Sequence, residues 1–173
     1  MTSLMIIQMT GLSGAGKTTI ALAAKERMDF LGIPLEVIDG DVYRKTLCKD
    51  LGFSREDRCE NIRRLGALAH TLGVPVIISA INPFASARLA LRGAYGAKTV
   101  WVDCPLPVLV MRDTKGLYRR ALLPDGHPDK LYNLTGLGDA YEFPVEADLV
   151  LRTDLQTPEE SVERLVGFIL GIV

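Results

Sequence analysis

Apolar residues fall in short runs along this chain, separated by longer stretches that turn apolar every third or fourth position. The runs Leu4–Met9, Leu35–Ile38, Val74–Ala80, Thr99–Val102 and Ala147–Leu151 are rich in Val and Ile and bounded by Gly, Pro or Asp. Lacking polar alternation, they predict strands buried on both faces, as in a parallel sheet. Helical patterns fill the gaps at Lys17–Leu31, Arg55–Leu72, Phe84–Tyr95, Pro105–Arg112 and Pro158–Leu170. The stripe Val162, Leu165, Val166, Ile169 marks the core face of the last helix. Two helix starts are written locally. Ser54 is an N-cap with Asp57 three residues on; Thr157 is another, with Pro158 in the first turn and Glu160 at the third position. Strand–helix alternation over the whole chain predicts a three-layer α/β fold with a central parallel sheet, formed by residues 1–173 as one domain. Lys115–Pro144 breaks the alternation. It holds four Gly and three Pro, and a loop of that length in a compact domain is usually functional, often a lid.

Chemistry enters at "GLSGAGKTT", Gly11 to Thr19. The spacing G-x-x-x-x-G-K-T, preceded by a strand and followed by a helix, is a phosphate-binding loop. Gly11, Gly14 and Gly16 let the backbone curl, so that the N–H groups of the loop and the helix N-terminus face phosphate oxygens; Leu12, Ser13, Ala15 and Thr19 complete the loop. Lys17 is placed to reach the β- and γ-phosphates, and Thr18 to offer its hydroxyl to Mg²⁺. The next strand ends in "VIDGDVYR". Asp39 and Asp41 thus sit at the C-terminal edge of a strand, where open parallel sheets bind ligands. They are suited to hold Mg²⁺ through water or to orient and deprotonate an attacking hydroxyl; a turn built from Asp and Gly is the alternative. In "LGFSREDRCENIRRLG" an N-cap at Ser54 puts Phe53 before the cap and Arg58 where a hydrophobic staple needs an apolar partner. The Phe53 ring is therefore expected to be free to stack on a base. Arg58 and Asn61 share a helix face and read as functional, whereas Arg55, Arg63 and Arg64 read as a solvated face.

Composition narrows the classes. The 173 residues are 48% hydrophobic, enough for one buried core, and the net charge of −1 gives no footprint for nucleic acid or anionic membrane. The apolar start is too short to span a bilayer and lacks the flanks of a leader, which predicts a cytoplasmic protein. Cys48, Cys59 and Cys104 have no metal-ligand spacing and read as free thiols. His70 and His127 have no visible metal or triad partner and read as core or surface residues. Trp101 reads as sheet packing, and Asp103 as either a turn residue or a carboxylate near the site.

Together these residues resemble the adenylylsulfate (APS) kinases, over nearly the whole chain. The resemblance is carried by "GLSGAGKTT", "DGD" with "LGFSREDR", "INPF", "VDCPL", "RDTKGLYRRA", "LTG" with the following Tyr-Glu, and "DLVLRTD" with "ESVERL". It implies a P-loop kinase fold and phosphorylation of the 3′-hydroxyl of adenosine 5′-phosphosulfate by ATP, with Mg²⁺, in sulfate assimilation. It further implies an APS site formed by Asp39, Asp41, Arg44, Phe53, Arg58, Asn61, Ile81 and Lys115, with Phe53 stacked on adenine and Asp41 near the 3′-hydroxyl. Arg112 would lie near the ATP adenine, and Lys115–Pro144 would be the lid. Its partners would be small-molecule nucleotides and, by the family's habit, a second copy in a homodimer.

Three positions depart from the family pattern. Asn82 stands where the family usually has serine, so a phosphoserine route is closed there and direct in-line transfer stays open. Asn82 is expected to hydrogen-bond the acceptor instead. Leu134 replaces the usual Phe of the lid and offers no π-face. Tyr132 stands in place of a lysine, with Lys130 displaced nearby. The altered acceptor side leaves open a paralogue that phosphorylates a related nucleotide, such as a cytidine nucleotide. A nucleotide-dependent switch is the remote alternative: it needs an N-K-x-D segment to read guanine, and the late strand here leads into "RTDLQ".

Overall fold

The computed structural model describes residues 4–171; the ends of the expected 1–173 domain lie outside them. Five strands form one parallel sheet in the order β2-β3-β1-β4-β5, with β1 Ile6–Thr10, β2 Glu36–Asp39, β3 Val76–Ser79, β4 Lys98–Asp103 and β5 Leu149–Arg152. All four pairings are parallel. Successive strand side chains point to opposite faces, and each face needs its own apolar cover. Ile7, Met9, Ile77, Val100, Val102 and Leu151 pack beneath α1 (Lys17–Phe30) and α7 (Pro158–Ile169). Ile6, Ile38, Val76 and Ile78 point the other way, to α3 (Arg55–Thr71) and α4 (Ala85–Tyr95). This is the three-layer arrangement that the unbroken apolar runs predict.

Both expected N-caps form. The Ser54 hydroxyl accepts from the Asp57 N–H at 3.0 Å, and Thr157 and Glu160 make a reciprocal capping box. Two short helices were not anticipated. Helix α2 (Gly40–Tyr43) starts within the Asp-Gly-Asp turn, capped by the Asp39 carboxylate. Helix α6 (Leu117–Ala121) follows α5 (Leu106–Arg112) and lies inside the supposedly irregular lid. Its first amides, Tyr118 and Arg119, donate to the Asp113 carboxylate, each at 2.9 Å. The Tyr118 hydroxyl reaches across to donate to the Ser13 carbonyl at 2.7 Å, tying lid to phosphate loop.

The topology fixes where ligands go. The first strand lies in the middle of the sheet, between β3 and β4, so the order reverses there and a crevice opens at the strands' C-terminal ends. The phosphate loop follows that central strand. The Asp-Gly-Asp segment follows β2 at one edge, and Thr153 follows β5 at the other.

Candidate active site

The loop between β1 and α1 is built against the sheet. A side chain on Gly11 would collide with the Val102 carbonyl, so only glycine lets the chain pass β4 this closely. The Gly11 amide donates to the Ile81 carbonyl at 3.2 Å, and Thr153 Oγ1 donates to the Ala15 carbonyl at 2.8 Å. The loop is thus held by the segment after β3 on one side and by the segment after β5 on the other.

Lys17 opens α1 and is buried. Its ammonium donates to the carbonyls of Gly11 and Leu12 at 2.8 and 2.9 Å, folded back over its own loop. Burial, reinforced by the Lys115 ammonium and opposed by Asp41 and Asp39, lowers its pKa from 10.5 to about 8. The unfolded chain therefore holds more protons than the free protein between about pH 8 and 10.5, and Lys17 makes the free protein more stable as pH rises through that window. Nucleotide binding has the opposite slope. A polyphosphate favours the ammonium, so it binds with an affinity that Lys17 leaves flat below about pH 7 and weakens above about pH 8, by up to ~10-fold per pH unit. Calorimetric titration of ATP from pH 6 to 9.5 checks this, and Lys17→Met should abolish the alkaline slope.

Next to Lys17, Thr18 Oγ1 donates to Asp39 Oδ2 at 3.0 Å and lies 3.1 Å from Ser79 Oγ. The other Asp39 oxygen accepts the Asp41 N–H at 2.8 Å. Both oxygens of Asp39 are therefore committed. Asp41 is exposed and pairs with the Lys115 ammonium at 2.8 Å. Ser79 was missed in the sequence, although a polar residue closing the buried run Val-Ile-Ile-Ser was a signal for it. The donors around Thr18 are all oxygens, and among the described residues no three His, Cys, Asp or Glu side chains gather into a metal cage. That suits Mg²⁺, which keeps its waters and shares itself with phosphates, better than a transition metal.

A cavity of about 690 Å³ runs along the strand ends. In its centre are the phosphate loop from Ser13 to Thr19, Asp39, Asp41 and Lys115. Toward the β2 edge it is walled by Phe53, Arg58, Ile81, Asn133, Leu134 and Thr135; toward β5 by Arg112, Thr114, Thr153, Gln156 and Ser161. Phe53 is an exposed ring with the guanidinium carbons of Arg44 and Arg58 at 5.0 and 5.3 Å from its centroid. Burial and the neighbouring Arg58 charge lower the Arg44 pKa. Arg112 Nη2 donates to the Thr153 carbonyl at 2.7 Å. Leu134 is 5% exposed and belongs both to the cavity wall and to the core.

Not every expected residue faces this cavity. Gly11 and Leu12 support the loop from behind. Arg44 braces the turn before Phe53 through the Leu51 and Gly52 carbonyls. Asn61 is buried one turn beyond Arg58, its side-chain oxygen without a partner among the described residues. The clearest difference is Asn82. The expected hydrogen bond to an acceptor does not fit its position: it is buried, it does not line the cavity, and its amide donates inward to Gln8 Oε1 at 3.0 Å. The cause is local. Asn82 has φ +47°, a left-handed conformation that asparagine tolerates and most residues do not. Asn82→Ala should lower stability by about 2 kcal/mol, about 1 from the backbone and about 1 from the buried hydrogen bond. Asn82→Gly should regain the backbone part, as thermal melts of the two variants would show.

Lys130, displaced from the usual lysine position, also points away from the cavity. Its ammonium bonds the Ala121 and Leu123 carbonyls and so caps the end of α6. The remaining singled-out side chains have structural places. His70 stacks on Tyr95, His127 Nδ1 accepts the Asp129 amide, and Trp101 packs by Phe143. Asp103 pairs with Arg152 outside the cavity, and burial raises its pKa. All three cysteines are free.

A phosphate loop at the centre of a two-sided cavity narrows the family, and comparison with known proteins decides it. The adenylylsulphate kinase profile matches residues 3–152. The chain belongs to the adenylylsulphate kinase family. It is 46% identical over 163 residues to an adenylyl-sulfate kinase of Rippkaea orientalis, covering 92% of this chain and 87% of the relative. It is 45% identical over 167 residues to one of Chloroflexus aurantiacus, covering 94% and 87%. Its fold superposes on the APS kinase of Mycobacterium tuberculosis, solved in complex with AMPPNP and APS, with a TM-score of 0.86, 34% identity, and coverage of 96% and 97% of the two chains. The three-layer fold around a central parallel sheet is thus that of this kinase family. Among the described residues no helix is long and apolar enough to cross a membrane.

Proposed function

We infer that this protein is an ATP-dependent kinase that phosphorylates the 3′-hydroxyl of adenosine 5′-phosphosulfate, giving 3′-phosphoadenosine 5′-phosphosulfate. The carrying observation is the two-sided cavity. One lobe, toward β2, offers Phe53, Arg58 and Leu134; the other, toward β5, offers Arg112, Thr153 and Gln156; Lys17, Asp39, Asp41 and Lys115 lie between. Two nucleotides entering from opposite edges would meet at the phosphate loop. Family membership supports APS as the acceptor in the β2 lobe and ATP as the donor in the β5 lobe.

The chemistry follows from the committed and uncommitted groups. Lys17 turns from its loop carbonyls to the γ-phosphoryl and spreads its charge as the bond to the leaving oxygen loosens. Thr18 and Asp39 would hold Mg²⁺, which neutralises phosphate charge when bound. The Asp41 carboxylate, whose one partner among the described residues is the exposed Lys115 ammonium, is placed to accept the proton of the acceptor hydroxyl. Lys115 is then released toward the phosphates or the acceptor's anionic end. Asn82 has no hydroxyl and faces away from the cavity, so transfer passes directly between the nucleotides in this reading.

Specificity constants over a panel of APS, other adenosine nucleotides and cytidine nucleotides, with ATP and Mg²⁺, test the reading. APS should lead by at least ~100-fold, because a site built to pair with polar groups rejects ligands that leave them unpaired. A cytidine nucleotide phosphorylated faster than APS would replace this acceptor while keeping the kinase.

A further inference from the structure

The β2 lobe has a roof, the lid segment Asn133–Asp139. This segment closes on itself. The amides of Gly138 and Asp139 donate to the Leu134 carbonyl at 2.9 and 3.1 Å, and the Gly136 amide donates to the Asp139 carbonyl at 2.8 Å. A side chain at Gly138 would strike the Tyr132 carbonyl, so the curl requires glycine there. Curling buries Leu134 and Thr135 on the cavity wall, with the Thr135 hydroxyl unpartnered among the described residues.

Something must hold the curl down over the lobe, and the hydrogen bonds identify it. Arg58, in the first turn of α3, donates through Nη2 to the Asn133 carbonyl at 2.9 Å and to the Asp139 carboxylate. Through Nε it donates to the Phe53 carbonyl at 2.9 Å. One guanidinium thus clasps both ends of the roof and the turn that carries the stacking ring. The Arg58 side chain is 8% exposed and that of Asp139 30%. A cation so buried needs a counter-charge, and Asp139 supplies it from 81 residues away. Asp139 itself does not line the cavity.

We propose that Asp139 is a positioning residue for acceptor binding: its carboxylate fixes the Arg58 guanidinium against the lid, so that Phe53, Arg58 and Leu134 form one acceptor wall. This rests on the reading of the β2 lobe as the acceptor site. The roof is seated while the ion pair holds, so roof order and acceptor affinity rise and fall together. None of these hydrogen bonds involves a residue on the β5 side of the cavity.

Asp139→Asn keeps the shape of the side chain and removes its charge. In the ligand-free protein, hydrogen exchange at the Gly136 and Gly138 amides should quicken ~10-fold or more, since a charge-assisted hydrogen bond is lost. In steady state the acceptor KM should rise ~10-fold, while kcat and the KM for ATP stay within about twofold. Asp139→Glu, which restores the charge on a longer stem, should recover part of the acceptor KM and of the exchange protection. Unchanged exchange would overturn the proposal. So would a loss in kcat, both KM values and melting temperature together, the mark of a merely structural role. The acceptor reading fails separately, in the parent protein, if APS is not phosphorylated there. The exchange comparison still stands in that case, and the kinetic arm uses the nucleotide the parent does accept.

Discussion

Replacing Lys17 with methionine is expected to reduce kcat by ~10³-fold or more while leaving the protein folded. The two halves of that expectation have different origins. The ammonium is the one cation of the phosphate loop, buried where the γ-phosphoryl would lie, and electrostatic donors in such water-poor sites contribute ~10²–10³-fold each. In the free protein, however, the same burial disfavours its charge, as its pKa of about 8 records. Methionine fills similar space without that penalty, and it forfeits two hydrogen bonds to the Gly11 and Leu12 carbonyls. The opposing effects should leave the melting temperature within about 5 °C of the parent. Single-turnover kinetics beside a thermal melt checks both halves. Near-parental turnover would remove the phosphate loop from the mechanism, and a collapsed melt would make Lys17 structural.

Asp41→Asn should lower kcat by ~10²–10⁴-fold, the usual range for a general base, with ATP affinity changed by less than about threefold. The structure separates it from Asp39. Asp39 has both oxygens engaged, one on the α2 amide of Asp41 and one on the Thr18 hydroxyl. The Asp41 side chain is exposed, bonded among the described residues only to Lys115, and free to turn to a substrate. Its amide replacement keeps the shape and cannot accept the proton. Because the Asp41–Lys115 pair is exposed, its loss should change stability by less than about 1 kcal/mol. Steady-state kinetics with isothermal titration of ATP distinguishes the roles: weakened ATP binding with unchanged turnover would assign Asp41 to the donor side.

The layers of the fold were legible because buried strands leave continuous apolar runs. Their ends were not. At β1, β2, β4 and β5 the ladder continues one residue past the last apolar position, onto Thr10, Asp39, Asp103 and Arg152. A hydrophobic pattern stops where the polar edge of the crevice begins. Helix α6 was hidden because its five residues are flanked by Gly and Pro, and its cap comes from Asp113, four residues before it begins. Lys17, Thr18, Asp39 and Asp41 were readable because short-range spacing fixes them around one loop and one turn. Asn82 and Lys130 were not: the inward turn of one depends on a positive φ, and the helix-capping of the other on a lid curled back on α6. Asp139 carries no local signal at all, since its partner Arg58 is brought to it only by the fold.

In the proposed reaction one phosphoryl group passes directly between two nucleotides across the cavity, and its stereochemical course is the most direct measure of that. With ATP made chiral at a γ-thiophosphoryl group and APS as acceptor, a single in-line displacement predicts a 3′-thiophosphoryl product of inverted configuration at phosphorus. Retention would require a phosphorylated enzyme intermediate, and absence of the thiophosphoryl group from APS would remove APS as the acceptor; either result would contradict the account.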